Sequence, residues 1–361
     1  MKISIKELSK YVDIAGLSPL EIASKLTFAG IEVEEVSTFA SGTNLIIGKV
    51  VSCEKHPDSD HLHVLKVDIG SKILNIVCGA PNARNNIKVI VAQVGAKLPE
   101  IDIKEGIIRG VKSEGMCCSL LELGVDKKYL SEEEINGIEV LDDSAPIGET
   151  NVLGFLGLDD TILDLKPLAN RPDANSIYGV ALEVGTLFKR KVNIPTPNLS
   201  KLKVINEKFF VGSESDNCLK FTIRIVRGVH VKESPKWLKD VLSSSGIRSI
   251  NNIVDIGNYV MLLTGQPLHM YDLDKLGKNE LIVKDNIEQN FVGLDEMTYK
   301  LCKGDLCIVS NNDVECLAGV LGSLHSETTD KTKNVVIEAA IFDSKSIRLT
   351  SNRLGLVSES S

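Results

Sequence analysis

From Asn44 the chain breaks into short apolar runs separated by turn residues: N-L-I-I-G-K-V-V-S-C-E, H-L-H-V-L-K-V-D-I-G, I-L-N-I-V-C-G and K-V-I-V-A-Q-V-G. Four strand-like runs at near-regular spacing leave no room for crossover helices. They predict a small barrel rather than a parallel sheet. The stretch ends near Gly148, after an acidic loop from Ser131 to Asn136.

The segments around the barrel have a different texture. Ser18-Pro19-Leu20-Glu21 is a capping box with proline at the first helical position, so a helix is expected to about Phe28, stopping at Gly30. I-E-V-E-E-V then alternates as a half-buried strand does. After Asn170-Arg171-Pro172-Asp173, with Asp173 as the expected N-cap, Ile177, Val180, Ala181, Val184 and Leu187 recur at helical spacing. I-P-T-P-N-L-S-K reads as a linker. Beyond it F-T-I-R-I-V-R-G-V is a strand, and Ser234-Pro235 opens a helix carrying Trp237, Leu238, Val241 and Leu242. Strands and helices alternate to the end, so the last unit is mixed.

At 361 residues the chain is too long for one ordinary core. A net charge of −8 argues against a protein that coats nucleic acid by electrostatics alone. Aromatic residues at 4% disfavour an extended stacking platform, so nucleic-acid contact is expected to be local and shape-directed. No apolar run approaches the ~20 residues that span a bilayer, and the first residues lack a signal-peptide pattern. A cytoplasmic address is expected. The eight cysteines are scattered through a long chain, with Cys117 and Cys118 adjacent, and are read as reduced thiols.

The segment Arg248 to Asp272 spends Arg248, Asn258, Gln266, His269 and Asp272 among runs that periodicity would bury. Buried polar groups are costly unless paired, so this segment is expected to line a site. The plainer alternative is a polar-capped helix followed by a turn at Gly265-Gln266-Pro267. His56, His61 and His63 with Asp58 and Asp60 suggest a metal cluster less well than a turn leading into an alternating strand. Cys302 and Cys307, flanking Gly304-Asp305, are a weaker zinc candidate still. Ser119 has no matching base nearby and reads as a helix cap. Asn82, Arg84 and Lys112, beside glycine turns, are candidates for touching phosphates, although the glycines themselves serve strand ends and turns.

In order along the chain, H-P-D-S-D-H-L-H-V, I-V-C-G-A-P-N, I-R-G-V-K-S-E-G-M-C-C-S-L-L-E-L-G, N-R-P-D, V-D-I-G-N-Y-V, G-Q-P-L-H and V-V-I-E-A-A-I-F resemble the β subunit of bacterial phenylalanyl-tRNA synthetase. The likeness covers essentially the whole chain and implies a multidomain α+β fold. Residues 1–39 plus 150–195 would form a small α+β domain, into which a tRNA-binding OB-fold barrel (40–149) is inserted. Residues 200–361 would form a mixed α/β editing domain of the B3/B4-like kind, incomplete at its C-terminal end. The implied partners are an α subunit, in an α2β2 heterotetramer, and tRNA(Phe), with neither DNA nor a membrane. Aminoacylation would belong to the α subunit, with ATP and Mg2+ used by the whole enzyme. This chain alone would neither charge tRNA nor bind a cofactor or metal.

The resemblance also assigns roles at the editing site, which hydrolyses tyrosine wrongly attached to tRNA(Phe). A family glutamate that recognises the tyrosine hydroxyl matches Glu338, for which the alternative is a strand-end carboxylate facing water. Gly322 matches a glycine that lets backbone approach the substrate. His269 and Asn258 match residues that orient the ester and the attacking water, and Arg248 one that meets the tRNA end. Three departures stand out. Gly257 replaces a threonine before Asn258, Ser323 replaces a glycine after Gly322 and adds bulk beside the pocket, and in Ser358-Glu359-Ser360 the residue Ser360 replaces an alanine at the pocket wall. Together they make reduced or absent editing a hypothesis that full hydrolysis of tyrosyl-tRNA would overturn. The competing reading is a stand-alone tRNA-binding protein whose last domain is a non-catalytic scaffold.

Overall fold

The computed structural model describes residues 1–200, 202 and 207–356. The chain divides into two compact units, Met1–Leu168 with Ser243–Arg248, and Ala169–Leu242 with Ser249–Ser361.

In the first unit the helix Pro19–Phe28 forms where the capping box predicts it. The Ser18 hydroxyl accepts from the Glu21 amide at 3.2 Å, and the Glu21 carboxylate accepts from the Ser18 amide at 2.8 Å. Its buried stripe is Ile22, Ala23 and Leu26. An antiparallel sheet accompanies it, ordered Lys2–Ser4, Thr161–Lys166, Glu32–Thr38. Its outer strands come from the first 38 residues and its middle strand from beyond the barrel, so the intervening chain leaves this sheet and returns to it.

The intervening strands pair in the order Val140–Leu141, Lys88–Gln93, Leu45–Lys55, His63–Asp68, Ile73–Cys78, and Gly115–Cys117 also pairs with Lys88–Gln93. The sheet then nearly closes on itself. The Glu114 amide donates to the Asn75 carbonyl at 2.8 Å, and the Val77 amide to the Ser113 hydroxyl at 3.1 Å, tying the last long strand back to the segment before Gly115. Both faces of Leu45–Lys55 are covered over its first half. Leu45 and Ile47 pack with Ile90, Leu98, Leu123 and Leu158, whereas Ile46 and Val50 pack with Leu65, Val67, Ile76 and Val91. That explains the unbroken L-I-I run, since a strand buried on both sides loses its polar alternation. Gly48 is required at the closest approach, because a Cβ there would stand 2.6 Å from Val67 Cγ1.

The expected acidic loop is instead a helical turn, Glu132–Asn136, capped by Ser131 with Glu134 reaching back to the Ser131 amide. Three acidic residues at a helix start are stabilised by the helix dipole, which a loop reading of their charge overlooks.

In the second unit the helix Ile177–Phe188 buries Ile177, Val180, Ala181 and Val184. Its N-cap is Ser176, not Asp173. The Ser176 hydroxyl accepts from the Gly179 amide at 3.0 Å, while Arg171 holds the Asp173 carboxylate in an ion pair. A five-stranded sheet runs Phe210–Ser213, Glu280–Lys284, Cys307–Ser310, Asp313–Leu317, Leu321–Gly322. A three-stranded antiparallel sheet places Asn334–Phe342 between Cys218–Arg227 and His269–Asp272. Tyr271, Leu281, Ile308, Leu317 and Val336 belong to one shared core. The helix Lys236–Ser244 buries Leu238 and Leu242 but leaves Trp237 half exposed, with its ring edge-on to Tyr259 at 5.4 Å. Among the described residues no helix is long and apolar enough to cross a membrane.

Candidate functional site

Asn334–Phe342 is the middle strand of its sheet, so its central residues have neighbours on both sides. Glu338 lies opposite Ile223 on one flank and opposite His269 on the other. It is only 5% exposed, which excludes the water-facing alternative. A carboxylate so placed needs a donor, and Tyr271 supplies one: its hydroxyl donates to Glu338 Oε2. Burial still dominates and pushes the Glu338 carboxyl up to about 7, with the Tyr271 bond opposing that rise.

His269 and Tyr271 share a strand face, being two residues apart, and their rings meet edge to face at 4.5 Å. His269 is half-buried, and its enclosure lowers the imidazole to about 4, so it is neutral near pH 7. Gly322 closes against this ring. A Cβ at Gly322 would lie 2.4 Å from His269 Cε1 and 2.8 Å from Nε2, so any side chain there displaces the imidazole.

These groups surround a cavity of about 370 Å³, within the size range of small-molecule sites. His269, Gly322 and Glu338 supply its candidate functional wall, Gln266 through Leu268 its rim, and Cys316, Val320 and Phe342 its apolar side. The Gln266 side-chain amide donates through Nε2 to the Ala340 carbonyl at 3.1 Å and to the Pro267 carbonyl at 2.9 Å, which fixes the rim to the central strand.

Other sequence candidates are placed elsewhere. Asn258 is half-buried within the helix Asn252–Thr264 and does not line the cavity. Arg248 is exposed and belongs to the other compact unit. The residues that follow it are pinned through Asp255, fully buried, which accepts from the Ser234 and Ser249 hydroxyls and from the Ile250 amide at 2.9 Å. Asp272 is a structural anchor, accepting from Thr332 at 2.6 Å and from the Asp274 amide at 3.0 Å. Ser358 and Ser360 lie outside the described residues. Ser323 follows the lining residue Gly322 without itself lining the cavity, and its hydroxyl accepts from the His325 amide at 3.1 Å.

In the barrel, the Asn82 side chain clamps Ile138, donating to its carbonyl at 2.8 Å and accepting from its amide at 3.0 Å. Arg84 is exposed, and its guanidinium donates to the Asn82 carbonyl. Lys112 pairs with Glu105 at 3.2 Å and Glu114 at 3.3 Å on the surface. His56 is spoken for on both ring nitrogens, by the Asp58 amide and the Ile108 carbonyl, so it pins a turn. Ser119 caps the turn at Glu122. Among the described residues no group of His, Cys, Asp and Glu could hold a metal ion. The Cys307 thiol is pushed up to about 12 by burial, which is inert chemistry.

Sequence reasoning missed Tyr271 and Cys316. The spacing of Tyr271 from His269 is a usable signal for a shared strand face. Nothing local announces that Cys316 arrives at the same cavity from another sheet.

A family model described as a putative tRNA binding domain matches residues 45–150, and one described as a B3/4 domain matches residues 217–361. The phenylalanine–tRNA ligase β subunit of Oceanobacillus iheyensis is 42% identical over 100% of this chain, and that of Streptococcus pyogenes serotype M3 is 43% identical over the same share. The chain spans 45% of the length of each. Among solved structures, an N-terminal fragment of the phenylalanyl-tRNA synthetase β subunit from Pyrococcus horikoshii is 18% identical. The match covers 55% of this chain and 62% of that one at a TM-score of 0.32, too low to bear on the assignment.

Proposed function

We propose, from the membership of this chain in the phenylalanine–tRNA ligase β-subunit family, that it binds tRNA(Phe) through the barrel and hydrolyses tyrosine misattached to that tRNA in the cavity at Glu338. The observation that carries the reading is the convergence of Glu338, His269 and Gly322, from three different strands, on one cavity. The barrel is read as an OB-fold inserted into a small α+β domain, 1–39 plus 150–195, of which 150–168 shares a compact unit with 1–39 and the helix Ile177–Phe188 groups with the second unit. The sheet whose middle strand returns after the barrel supports that insertion. Residues 200–361 are the editing domain.

Tyrosine and phenylalanine differ by one hydroxyl, and a second site that hydrogen-bonds this hydroxyl selects the error. Glu338 Oε1 is the acceptor for it, since Oε2 already accepts from Tyr271. Phenylalanine leaves Oε1 buried and unpaired, which costs about 1 to 3 kcal/mol. Neutral His269 orients a water at the ester. The water oxygen adds to the carbonyl carbon, the bond to the tRNA 3′ oxygen breaks, and a water proton ends on that oxygen, releasing tyrosine and intact tRNA. With a histidine of such low basicity, positioning and stabilisation of the oxyanion outweigh base strength. Asn258 and Arg248 are proposed to serve the water and the tRNA end once tRNA is bound.

Partnership with an α subunit in an α2β2 enzyme, ATP- and Mg2+-dependent aminoacylation there, and a cytoplasmic location complete the reading. Family membership supports these, and no residue described above is assigned to ATP or Mg2+. The test is to supply the assembled ligase with tyrosine, ATP and tRNA(Phe). ATP consumption without accumulation of tyrosyl-tRNA supports editing; stable accumulation by the wild-type enzyme refutes it.

A further inference from the structure

Behind the cavity wall, in contact with two of its lining residues but not itself lining it, stands a group that the proposed reaction does not use. Tyr271 is fully buried, yet it touches both candidate groups: its hydroxyl donates to Glu338 Oε2 and its ring packs edge-on against His269 at 4.5 Å. A phenolic hydroxyl of the protein thus occupies one of the two carboxylate oxygens that a substrate phenol would seek.

We infer that Tyr271 is a specificity-determining positioning residue, whose hydroxyl fastens Glu338 Oε2 and so presents Oε1 alone to a single phenolic donor in the cavity. The inference rests on the editing reading of the site. An untethered carboxylate turns freely about its terminal torsion and satisfies itself with water. A tethered one is preorganised, and its second oxygen stays unpaired until a hydroxyl arrives. The tether also favours the ionised, acceptor form of Glu338 against the burial that disfavours it. The titratable groups around this carboxyl are His269 and Tyr271 on the strand beside it, Cys218 on the opposite flanking strand and Cys316 on the neighbouring sheet. Burial holds His269 neutral and both thiols protonated near pH 7, so Tyr271 is the neighbour that bonds to the carboxyl.

Tyr271→Phe keeps the ring against His269 and removes only the hydroxyl. The test measures binding of non-hydrolysable 3′-amide analogues of tyrosyl- and phenylalanyl-tRNA(Phe) to the assembled ligase, for wild type, Tyr271→Phe and Glu338→Gln. The expected result is a tyrosine-to-phenylalanine preference that falls about tenfold in Tyr271→Phe, with phenylalanyl analogue affinity unchanged as the control for folding. The pH at which the preference appears should also rise in that variant. A Tyr271→Phe enzyme with full preference and an unmoved pH profile, while Glu338→Gln loses the preference, overturns the role of Tyr271 and leaves the editing reading standing. A wild-type preference near one takes down the editing reading, and the role of Tyr271 with it.

Discussion

His269 and Glu338 stand opposite each other across an antiparallel strand pair, and burial moves their protonation in opposite senses, the imidazole down to about 4 and the carboxyl up to about 7. Near pH 7 the imidazole is therefore neutral, while the carboxyl stands close to its midpoint, with the Tyr271 bond drawing it toward the ionised form.

That opposition predicts a cancellation in stability against pH. Glu338, with its folded value raised, contributes stability that is present below about 4.5 and lost as pH rises through about 7. His269, with its folded value depressed, contributes stability that is present above about 6.5 and lost as pH falls through about 4. In the wild type the two slopes offset each other between these limits. Glu338→Gln should steepen the rise of stability with pH relative to wild type, and His269→Asn should steepen the fall, by up to about 3 kcal/mol for the carboxyl across the window. Urea midpoints measured at half-unit pH steps read this directly; parallel profiles for all three proteins would contradict it.

Gly322→Ala is expected to cost activity more than stability. The new methyl would meet His269 at 2.4 Å, and the half-buried ring is displaced more easily than the strand backbone. Deacylation of Tyr-tRNA(Phe) should fall about 100-fold, with stability reduced by about 1 to 3 kcal/mol. Unchanged deacylation would show that the position of the His269 ring does not matter.

The barrel candidates separate into two kinds. Asn82→Ala removes the clamp on Ile138 and should lower thermal stability by about 1 to 2 kcal/mol, whether or not tRNA is present. Arg84→Ala should leave stability alone, weaken tRNA binding at low salt, and reduce the slope of log affinity against log salt by about one. Filter binding at several salt concentrations, beside melting curves, distinguishes them. Loss of the salt slope in the Asn82 variant at full stability would reverse the assignment.

What the sequence made legible follows from how local each signal is. The Ser18 capping box and the strand runs after Asn44 depend on neighbours a few residues away, and they form as expected. Asp173 as an N-cap failed because Arg171, two residues earlier, captures the carboxylate and leaves Ser176 to cap. Glu338 is legible as a site residue through the resemblance and its apolar run. Its contact with Tyr271 spans 67 residues and depends on strand register, which periodicity does not encode. The adjacency of Ser323 to Gly322 is visible in sequence and places its bulk beside the pocket. The orientation of its hydroxyl toward the His325 amide is set by the turn it enters.

The most direct measurement is the rate at which the assembled ligase carrying this chain deacylates preformed Tyr-tRNA(Phe), with Phe-tRNA(Phe) as the comparison substrate and Glu338→Gln and His269→Ala as controls. The account predicts hydrolysis of the tyrosyl ester well above both the uncatalysed rate and the phenylalanyl rate, with selectivity lost in Glu338→Gln and rate lost in His269→Ala. Tyrosyl hydrolysis at the uncatalysed rate in the wild-type enzyme would contradict it, and would leave the cavity at Glu338 a structural remnant.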